Sequence, residues 1–239
     1  MGEATTVRLR DENGSAEFDL SEVTGAAFWT GLLPWRTMRS RHGQAHFPGL
    51  YWSSVMADHV GYESRLELAW LLLADRDPRW TKLVSQPFQL VTVVDGSRRR
   101  HVPDFLAVRD DGLVCVVDVK PRHRLKDPLV RSTFGWTRRL VERQGWAFEV
   151  FSEPDPVVLA NVRFLSGYRR SWQFDSTLLE ILLRCAAIPA PLALIESTAA
   201  VEHHSPAVVR AHLLHLLWCG QLHCDLGSPL AGSTLVEAR

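Results

Sequence analysis

The chain has 239 residues, which is enough for one large domain or two small ones with a substantial buried core. Its 27 basic and 27 acidic side chains balance, so a uniformly basic shell is excluded and any nucleic-acid surface must be local. Four cysteines without a Cys-x-x-Cys pair predict free thiols. Without a signal-peptide core or an apolar run near the roughly 20 residues of a membrane span, we expect a soluble, cytoplasmic protein with no membrane partner.

The N-terminal region, residues 1–57, mixes polar and aromatic segments, and we predict an ordered arm there rather than a domain. The apolar side chains of residues 60–74 recur at helical spacing, at Leu66, Ala69, Trp70 and Leu73. This pattern predicts a helix that ends before Pro78. Glu63 and Glu67 would then lie one turn apart on one face of that helix.

The middle of the chain has a strand pattern. Residues 84–94 and 100–108 are rich in apolar and β-branched side chains and are separated by an Asp-Gly turn. A second Asp-Gly turn leads into a third apolar run over residues 113–120. These three runs predict an antiparallel meander.

A helix and a further strand follow. Asp127 and Pro128 provide an N-cap and a first-turn proline, and Gly145 ends the helix. The side chains predicted to face inward are Leu129, Phe134, Leu140 and Val141. With a strand over residues 146–152, this order predicts an α/β core in which helices flank a mixed sheet.

The pattern becomes helical after about residue 170. Three helices are predicted at residues 176–187, 192–197 and 205–219. Two short strands are predicted at residues 220–225 and 233–236. Three helices with a small hairpin are typical of a winged helix. We therefore predict an arm over residues 1–57, a core over residues 58–170 and a winged-helix-like α module over residues 171–239.

The most informative segment runs from His101 to Pro121, with the sequence HVPDFLAVRDDGLVCVVDVKP. Alternate side chains of a strand share a face, so Asp118 and Lys120 would point the same way, with Asp104 on the neighbouring strand. Two such carboxylates can hold Mg²⁺, which lowers the pKa of its bound water and neutralises phosphate charge. Lys120 would add a positive charge beside the attacking water or the scissile phosphate. This acid-acid-base arrangement predicts a metal-dependent nuclease.

A third carboxylate is expected from the helix before the sheet. We favour Glu67, because it leads an apolar segment that would pack on the sheet, and Glu63 is the alternative acid. The chain has only three lysines against 24 arginines. A lysine at position 120 is therefore less expected as an ordinary surface residue, which favours a specific role for Lys120.

Residues 49–154 resemble the catalytic domain of the PD-(D/E)xK nucleases, and specifically TnsA, the endonuclease subunit of heteromeric transposases. The similarity rests on four pieces in order, at residues 62–67, 77–88, 102–106 and 117–121, which include Val-Pro-Asp-Phe-Leu and Val-Asp-Val-Lys-Pro. The resemblance implies a restriction-endonuclease-like core that binds Mg²⁺ or Mn²⁺ and cuts one DNA strand at each transposon end.

The resemblance also implies roles for individual residues. The metal ligands would be Glu67, Asp104, Asp118 and the backbone carbonyl of Val119. Lys120 would be the charge-stabilising partner, and Gln86 a structural or accessory polar residue. The family has Gln or Glu where this chain has Asp118, which keeps a metal ligand. The implied partners are a DDE-type, TnsB-like transposase and an AAA+, TnsC-like ATPase.

DNA contacts are predicted from local positive charge. Residues 98–145 contain twelve Lys or Arg side chains and six Asp or Glu side chains. The candidates for phosphate contacts are Arg98, Arg99, Arg100, Arg122 and Arg124. A solvated surface without DNA contacts is the alternative for each of them.

Other functions remain open from the sequence. A stand-alone restriction or repair nuclease could use the same core, and a DNA-binding or scaffolding protein could keep the core without cutting. Zinc is a further alternative, with five candidate ligands at His212, His215, Cys219, His223 and Cys224, although apolar packing of their leucine-rich helix is favoured. That helix offers few donors for DNA, so a protein-docking role is expected for the C-terminal module; in TnsA-like proteins this region contacts the ATPase.

Overall fold

The structure is a computed structural model of the full chain. It describes residues 5–24, 26–36, 47–199 and 205–239. The chain divides into two compact units, Met1–Leu71 with Arg79–Glu153, and Leu72–Pro78 with Pro154–Arg239. Strand pairing joins part of the predicted arm to the first unit, and the helix that follows residue 153 belongs to the second unit.

In the described segments, ten strands and two α-helices belong wholly or mainly to the first unit. The strands are β1 Thr6–Asp11, β2 Gly14–Asp19, β3 Gly49–Ser53, β4 Asp58–Tyr62, β5 Trp80–Ser85, β6 Gln89–Val94, β7 Ser97–His101, β8 Phe105–Arg109, β9 Val114–Val119 and β10 Ala147–Phe151. The helices are α1 Arg65–Arg76, whose last residues belong to the second unit, and α2 Pro128–Arg143.

The sheet that carries the motif has the order β10-β9-β8-β5. β10 runs parallel to β9, whereas β9 with β8 and β8 with β5 are antiparallel, so the predicted mixed sheet is confirmed. Every residue of β9 is buried, as expected for a central strand with a nearly continuous apolar sequence. A second sheet, with the order β2-β1-β6-β7, is antiparallel throughout, and β3 and β4 form a hairpin.

The predicted meander is wrong in one respect, because two of its three strands are each broken in two. β5 and β8 lie in the motif sheet, while β6 and β7 lie in the other sheet. The first break is at Gln86, whose φ of 45° is left-handed. The second contains Pro103, which has no backbone donor for a sheet. The breaks meet where the Gln86 amide donates to the carbonyl of Asp104 over 2.8 Å.

The first helix begins later than the prediction of residue 60, because residues 58–62 form β4. Ser64 starts the helix, and its hydroxyl accepts a hydrogen bond from the Glu67 amide over 3.1 Å. Glu63 therefore precedes α1, and the prediction that it shares a helical face with Glu67 is wrong.

α2 follows the prediction at both ends. The Asp127 carboxylate accepts from the Leu129 amide, and Gly145 adopts a left-handed φ of 79° just beyond the last turn. Val141 is buried as predicted, but Leu129 is 74% exposed and does not face the core. Its place in the first turn, next to the cap, leaves it outside the apolar face.

The N-terminal arm is anchored by aromatic packing. The Trp29 ring is almost completely buried, with its centroid 5.9 Å from that of Phe88 and 5.3 Å from that of Trp146. β1 extends the sheet beside β6. The arm thus contributes both a strand and a core side chain to the first unit.

The second unit is mainly helical. Its elements are α3 Pro156–Leu165, α4 Ser176–Cys185, β11 Ala190–Pro191, α5 Leu192–Ala199, α6 Pro206–Trp218, β12 Leu222–His223 and β13 Leu235–Ala238. The three strands pair antiparallel in the order β11-β13-β12. The last three helices confirm the prediction, whereas α3 was not predicted. In the part of the chain that the structure describes, no helix is both long and apolar enough to cross a bilayer.

The histidines of α6 have packing roles. His212 bonds the Val208 carbonyl through Nδ1 and the Asp175 amide through Nε2, and the His215 ring stacks on Phe174 with a centroid distance of 4.1 Å. The four cysteines, which all lie in described segments, are free thiols.

Candidate active site

A cavity of about 430 Å³ lies in the first unit, beside the start of α1, the residue before β8 and the end of β9. Five of the predicted site residues line it, together with two further polar residues and three apolar ones. The polar and charged side chains that line it, together with Val119, are Arg36, Glu63, Ser64, Glu67, Asp104 and Lys120. Asp118 and Gln86 lie outside this lining, and so do the five arginines predicted to contact DNA.

The pairing of β8 with β9 sets the position of Asp104. Phe105 pairs with Val117, so the antiparallel register places Asp104 opposite Asp118. The Asp104 Oδ2 atom accepts a hydrogen bond from the Val119 amide over 2.7 Å. This bond ties the acid at the start of one strand to the end of the next.

The environment of Asp104 disfavours its ionised form. Burial raises the pKa of this carboxyl to about 7, and the negative charges of Asp118 and Glu67 contribute to the rise. The Val119 amide and the Lys120 ammonium act in the opposite direction without cancelling it. A group of acids this close together is stabilised by a proton or by a cation.

Glu67 closes the first turn of α1. Its carboxylate accepts from the Glu63 amide over 2.6 Å and from the Ser64 hydroxyl over 2.8 Å. Since Ser64 accepts in turn from the Glu67 amide, the pair resembles a capping box. The Ser-x-x-Glu spacing was present in the sequence and marks this helix start. Burial raises the pKa of Glu67 above its ordinary value.

Asp118 is held by a residue that the sequence analysis did not select. The His101 Nε2 atom lies 2.9 Å from Asp118 Oδ1 and 2.8 Å from Oδ2. Asp118 is only 1% exposed. His101 ends β7 in the other sheet, so no local sequence pattern indicates this contact.

Gln86 connects the N-terminal arm to the cavity. Its backbone carbonyl accepts from the Trp35 amide over 2.9 Å, and its side-chain Oε1 accepts from the Arg36 amide over 3.2 Å. The exposed Arg36 side chain lines the cavity. Arg36 has no local sequence signal for this position, because the contacts that place it are hydrogen bonds to the distant Gln86.

The residues present fit a hard divalent cation in their chemistry. Among the described residues, no three acidic, histidine or cysteine side chains already form a metal-binding group. Glu67, Asp104 and Asp118 each accept hydrogen bonds from a protein donor instead. Mg²⁺ needs only one or two carboxylates besides water and phosphate, and Glu67 and Asp104 line one cavity. A cation there would also offset the burial and the repulsion from Asp118 and Glu67 that together raise the pKa of Asp104.

The predicted DNA-contacting arginines fall into two groups. Arg98, Arg99 and Arg100 are exposed on β7, at the edge of its sheet. Arg122 lies 3.9 Å from Glu153, and Arg124 lies 3.4 Å from Asp127. The first group presents its charge on a strand edge, whereas the second is engaged with acids.

Comparison with known families adds one finding. Residues 77–153 match the family model described as TnsA-like endonuclease N terminal. The matched segment contains β5 to β10 and α2, and therefore includes Asp104, Asp118 and Lys120, while Glu67 lies before it. The family resemblance is confirmed over these residues. No curated protein matches the chain.

Proposed function

Because residues 77–153 match the TnsA-like endonuclease domain, we propose that the chain is a metal-dependent DNA endonuclease, the TnsA-like subunit of a heteromeric transposase. It would cleave one strand at each transposon end. One observation carries the proposal: Glu67, Asp104 and Lys120 line a single cavity at the motif that the family match covers. Burial, together with the neighbouring acids Asp118 and Glu67, raises the pKa of Asp104 to about 7, as expected for a site that takes up a cation.

Each residue of the cavity has a distinct role in this proposal. Glu67, Asp104, Asp118 and the Val119 carbonyl would hold Mg²⁺ or Mn²⁺. The metal, when bound, supplies a water of lowered pKa and neutralises charge on the phosphate. The Lys120 ammonium stabilises the negative charge that develops as the phosphodiester is attacked.

Arg36 supplies a second positive charge. It lines the same cavity as Lys120, and its backbone is held through the Gln86 side chain. A guanidinium can bond two phosphate oxygens at once, which suits it to orienting the scissile phosphate. Gln86 would then act as an accessory residue that places Arg36.

The proposed C-terminal module is winged-helix-like and docks a partner protein. Most of α6 is buried, and its Arg210 pairs with Glu196 over 3.1 Å. A helix packed in this way has few groups for reading a DNA groove. This disfavours DNA as the partner of the module, and we propose the AAA+ ATPase in its place.

Mutation of the two candidate glutamates distinguishes their roles. Glu67→Gln is expected to lower cleavage about 100-fold, because the amide keeps the hydrogen-bond acceptor of the helix cap but loses the negative charge that binds metal. Glu63→Gln should lower cleavage less than about fivefold. Cleavage rates under saturating Mn²⁺ measure the difference. The reverse order of effects would assign the metal to Glu63.

Phosphate contacts at β7 can be tested by salt dependence. Replacing Arg98, Arg99 and Arg100 with serine is expected to weaken DNA binding about tenfold or more and to reduce the slope of log K against log salt by up to about three. Arg8→Ser is the matched control in the same sheet, since Arg8 pairs with Glu17 over 2.6 Å. Fluorescence anisotropy in Ca²⁺ provides both quantities. An unchanged slope would remove β7 from the DNA-binding surface.

The proposed function is tested by cleavage with its partners. The full chain, combined with the proposed DDE-type transposase and AAA+ ATPase partners, should nick a plasmid that carries the transposon ends in the presence of Mg²⁺. When Asp104→Asn replaces the wild-type chain in the same reaction, the strand that the wild type nicks should stay intact. Equal cleavage in both reactions would contradict the proposal, and cleavage of plasmids without transposon ends by the chain alone would favour a restriction or repair nuclease.

A further inference from the structure

We infer that His101 is a positioning residue, which orients Asp118 so that its carboxylate can take part in divalent metal binding. The inference rests on the proposed nuclease function, because it concerns a ligand of the proposed metal. It goes beyond the acids and the lysine of the motif and assigns a role to a histidine in a different sheet.

The contact itself is short and uses both oxygens of Asp118. The His101 Nε2 atom lies within 2.9 Å of each of them. The carboxylate oxygens act as acceptors here, so the tautomer with a proton on Nε2 shares that N–H between the two oxygens. The side chains are 16% and 2% exposed, respectively, so little water competes for this bond.

The imidazole is held in place by two different elements. His101 pairs with the buried Leu90 across β7 and β6, which fixes its backbone. Its ring packs edge-on against the buried Trp136 of α2, with centroids 6.0 Å apart. The donor is therefore presented to Asp118 from a rigid setting.

Asp118 needs such a partner because of its position. It lies opposite Asp104 in the register of β8 and β9, and its negative charge contributes to the raised pKa of Asp104. A buried carboxylate without a hydrogen-bond donor is left unsatisfied, so a fixed donor favours one orientation of its side chain. The bond from His101 holds the Asp118 carboxylate in one orientation, and partners of metal ligands usually contribute 10-fold to 100-fold to metal affinity.

Manganese binding to the full chain tests the inference without any need for cleavage. Isothermal titration with Mn²⁺ compares wild type with His101→Phe, which keeps an aromatic ring against Trp136 but has no donor. We expect His101→Phe to bind Mn²⁺ about 10-fold to 100-fold more weakly. His101→Gln, whose amide can donate to Asp118, should recover most of the affinity.

A matched control comes from a second His–Asp pair in the same unit. His59 and Asp58 lie 3.8 Å apart on the surface. His59→Phe should leave Mn²⁺ affinity unchanged. His101→Asn, which has an amide too short to reach Asp118, replaces His101→Phe should the phenylalanine variant not fold.

A double-mutant cycle separates positioning from a purely structural role. If His101 acts through Asp118, the variant with both His101→Phe and Asp118→Asn binds Mn²⁺ no more weakly than Asp118→Asn alone. Additive losses, or wild-type affinity in His101→Phe, would overturn the inference.

Mn²⁺ binding to Asp104→Asn distinguishes a wrong role for His101 from a wrong proposed function. If Asp104→Asn loses Mn²⁺ binding while His101→Phe keeps it, only the role of His101 is overturned. If wild type and Asp104→Asn bind Mn²⁺ equally, the metal site itself is wrong, and the inference falls with it.

Discussion

Asp104→Asn is expected to abolish strand cleavage and, without metal, to make the folded chain more stable. Losing the metal ligand removes several kcal/mol of transition-state stabilisation, and each 1.4 kcal/mol corresponds to about a tenfold change in rate. We therefore expect cleavage to fall at least about 10³-fold. The amide oxygen of the substituted side chain can still accept from the Val119 amide, so the link between β8 and β9 is kept.

The gain in stability follows from the raised pKa of Asp104. Its folded pKa is about 7 against an ordinary value of 3.8, so between these pH values the folded state binds more protons than the unfolded state. The stability of the wild type therefore falls as pH rises from about 4 through 7. The asparagine variant lacks this loss, and we expect it to be more stable by on the order of 2 kcal/mol at pH 8, with the difference vanishing towards pH 4.

Urea unfolding at pH 8 and pH 4, with and without Mn²⁺, measures both effects. Mn²⁺ should stabilise the wild type by mass action and leave the variant unchanged. A variant that is less stable than wild type at pH 8, or that gains as much stability from Mn²⁺, would contradict the electrostatic account of the cavity.

Lys120→Ala is expected to lower cleavage about 10²-fold to 10³-fold while leaving DNA affinity in Ca²⁺ within about twofold. The side chain is lost, but the backbone stays in place. The Lys120 amide donates to the Phe151 carbonyl over 2.9 Å, and its carbonyl accepts from the Ser152 hydroxyl over 2.7 Å. The defect should therefore appear in the cleavage step.

Lys82→Ala is the matched control for Lys120. Lys82 lies on β5 of the same sheet and donates to the Thr30 hydroxyl over 2.8 Å, away from the residues that line the cavity. Its removal should leave cleavage unchanged. Equal cleavage by wild type and Lys120→Ala in single-turnover reactions would remove the lysine from the chemistry.

The parts of the fold that local chemistry determines could be predicted from the sequence. The Asp-Pro start and glycine end of α2, the apolar β9 and the strand after α2 each have a local signal, and the structure contains all three. The convergence of Asp104 and Lys120 at one cavity also follows from strand geometry, since one acid lies just before β8 and the lysine just after β9.

The features that depend on distant contacts could not be predicted in this way. Apolar periodicity does not reveal that a strand changes sheets, so the breaks at Gln86 and Pro103 were missed. His101 reaches Asp118 across two sheets, and Arg36 reaches the cavity through the Gln86 side chain. The position of Glu63 before α1, in contrast, has a local signal, since the Ser-x-x-Glu spacing from Ser64 to Glu67 marks the helix start.

Anomalous diffraction from crystals of the full chain soaked in Mn²⁺ tests the central claim most directly. We expect a Mn²⁺ peak in the cavity, within about 2.5 Å of oxygen atoms of Asp104 and of at least one further predicted ligand, Glu67, Asp118 or the Val119 carbonyl. The same soak of Asp104→Asn should show no peak there. A peak elsewhere in wild type, or an equal peak in the variant, would contradict the assignment of this cavity as the metal-dependent nuclease site.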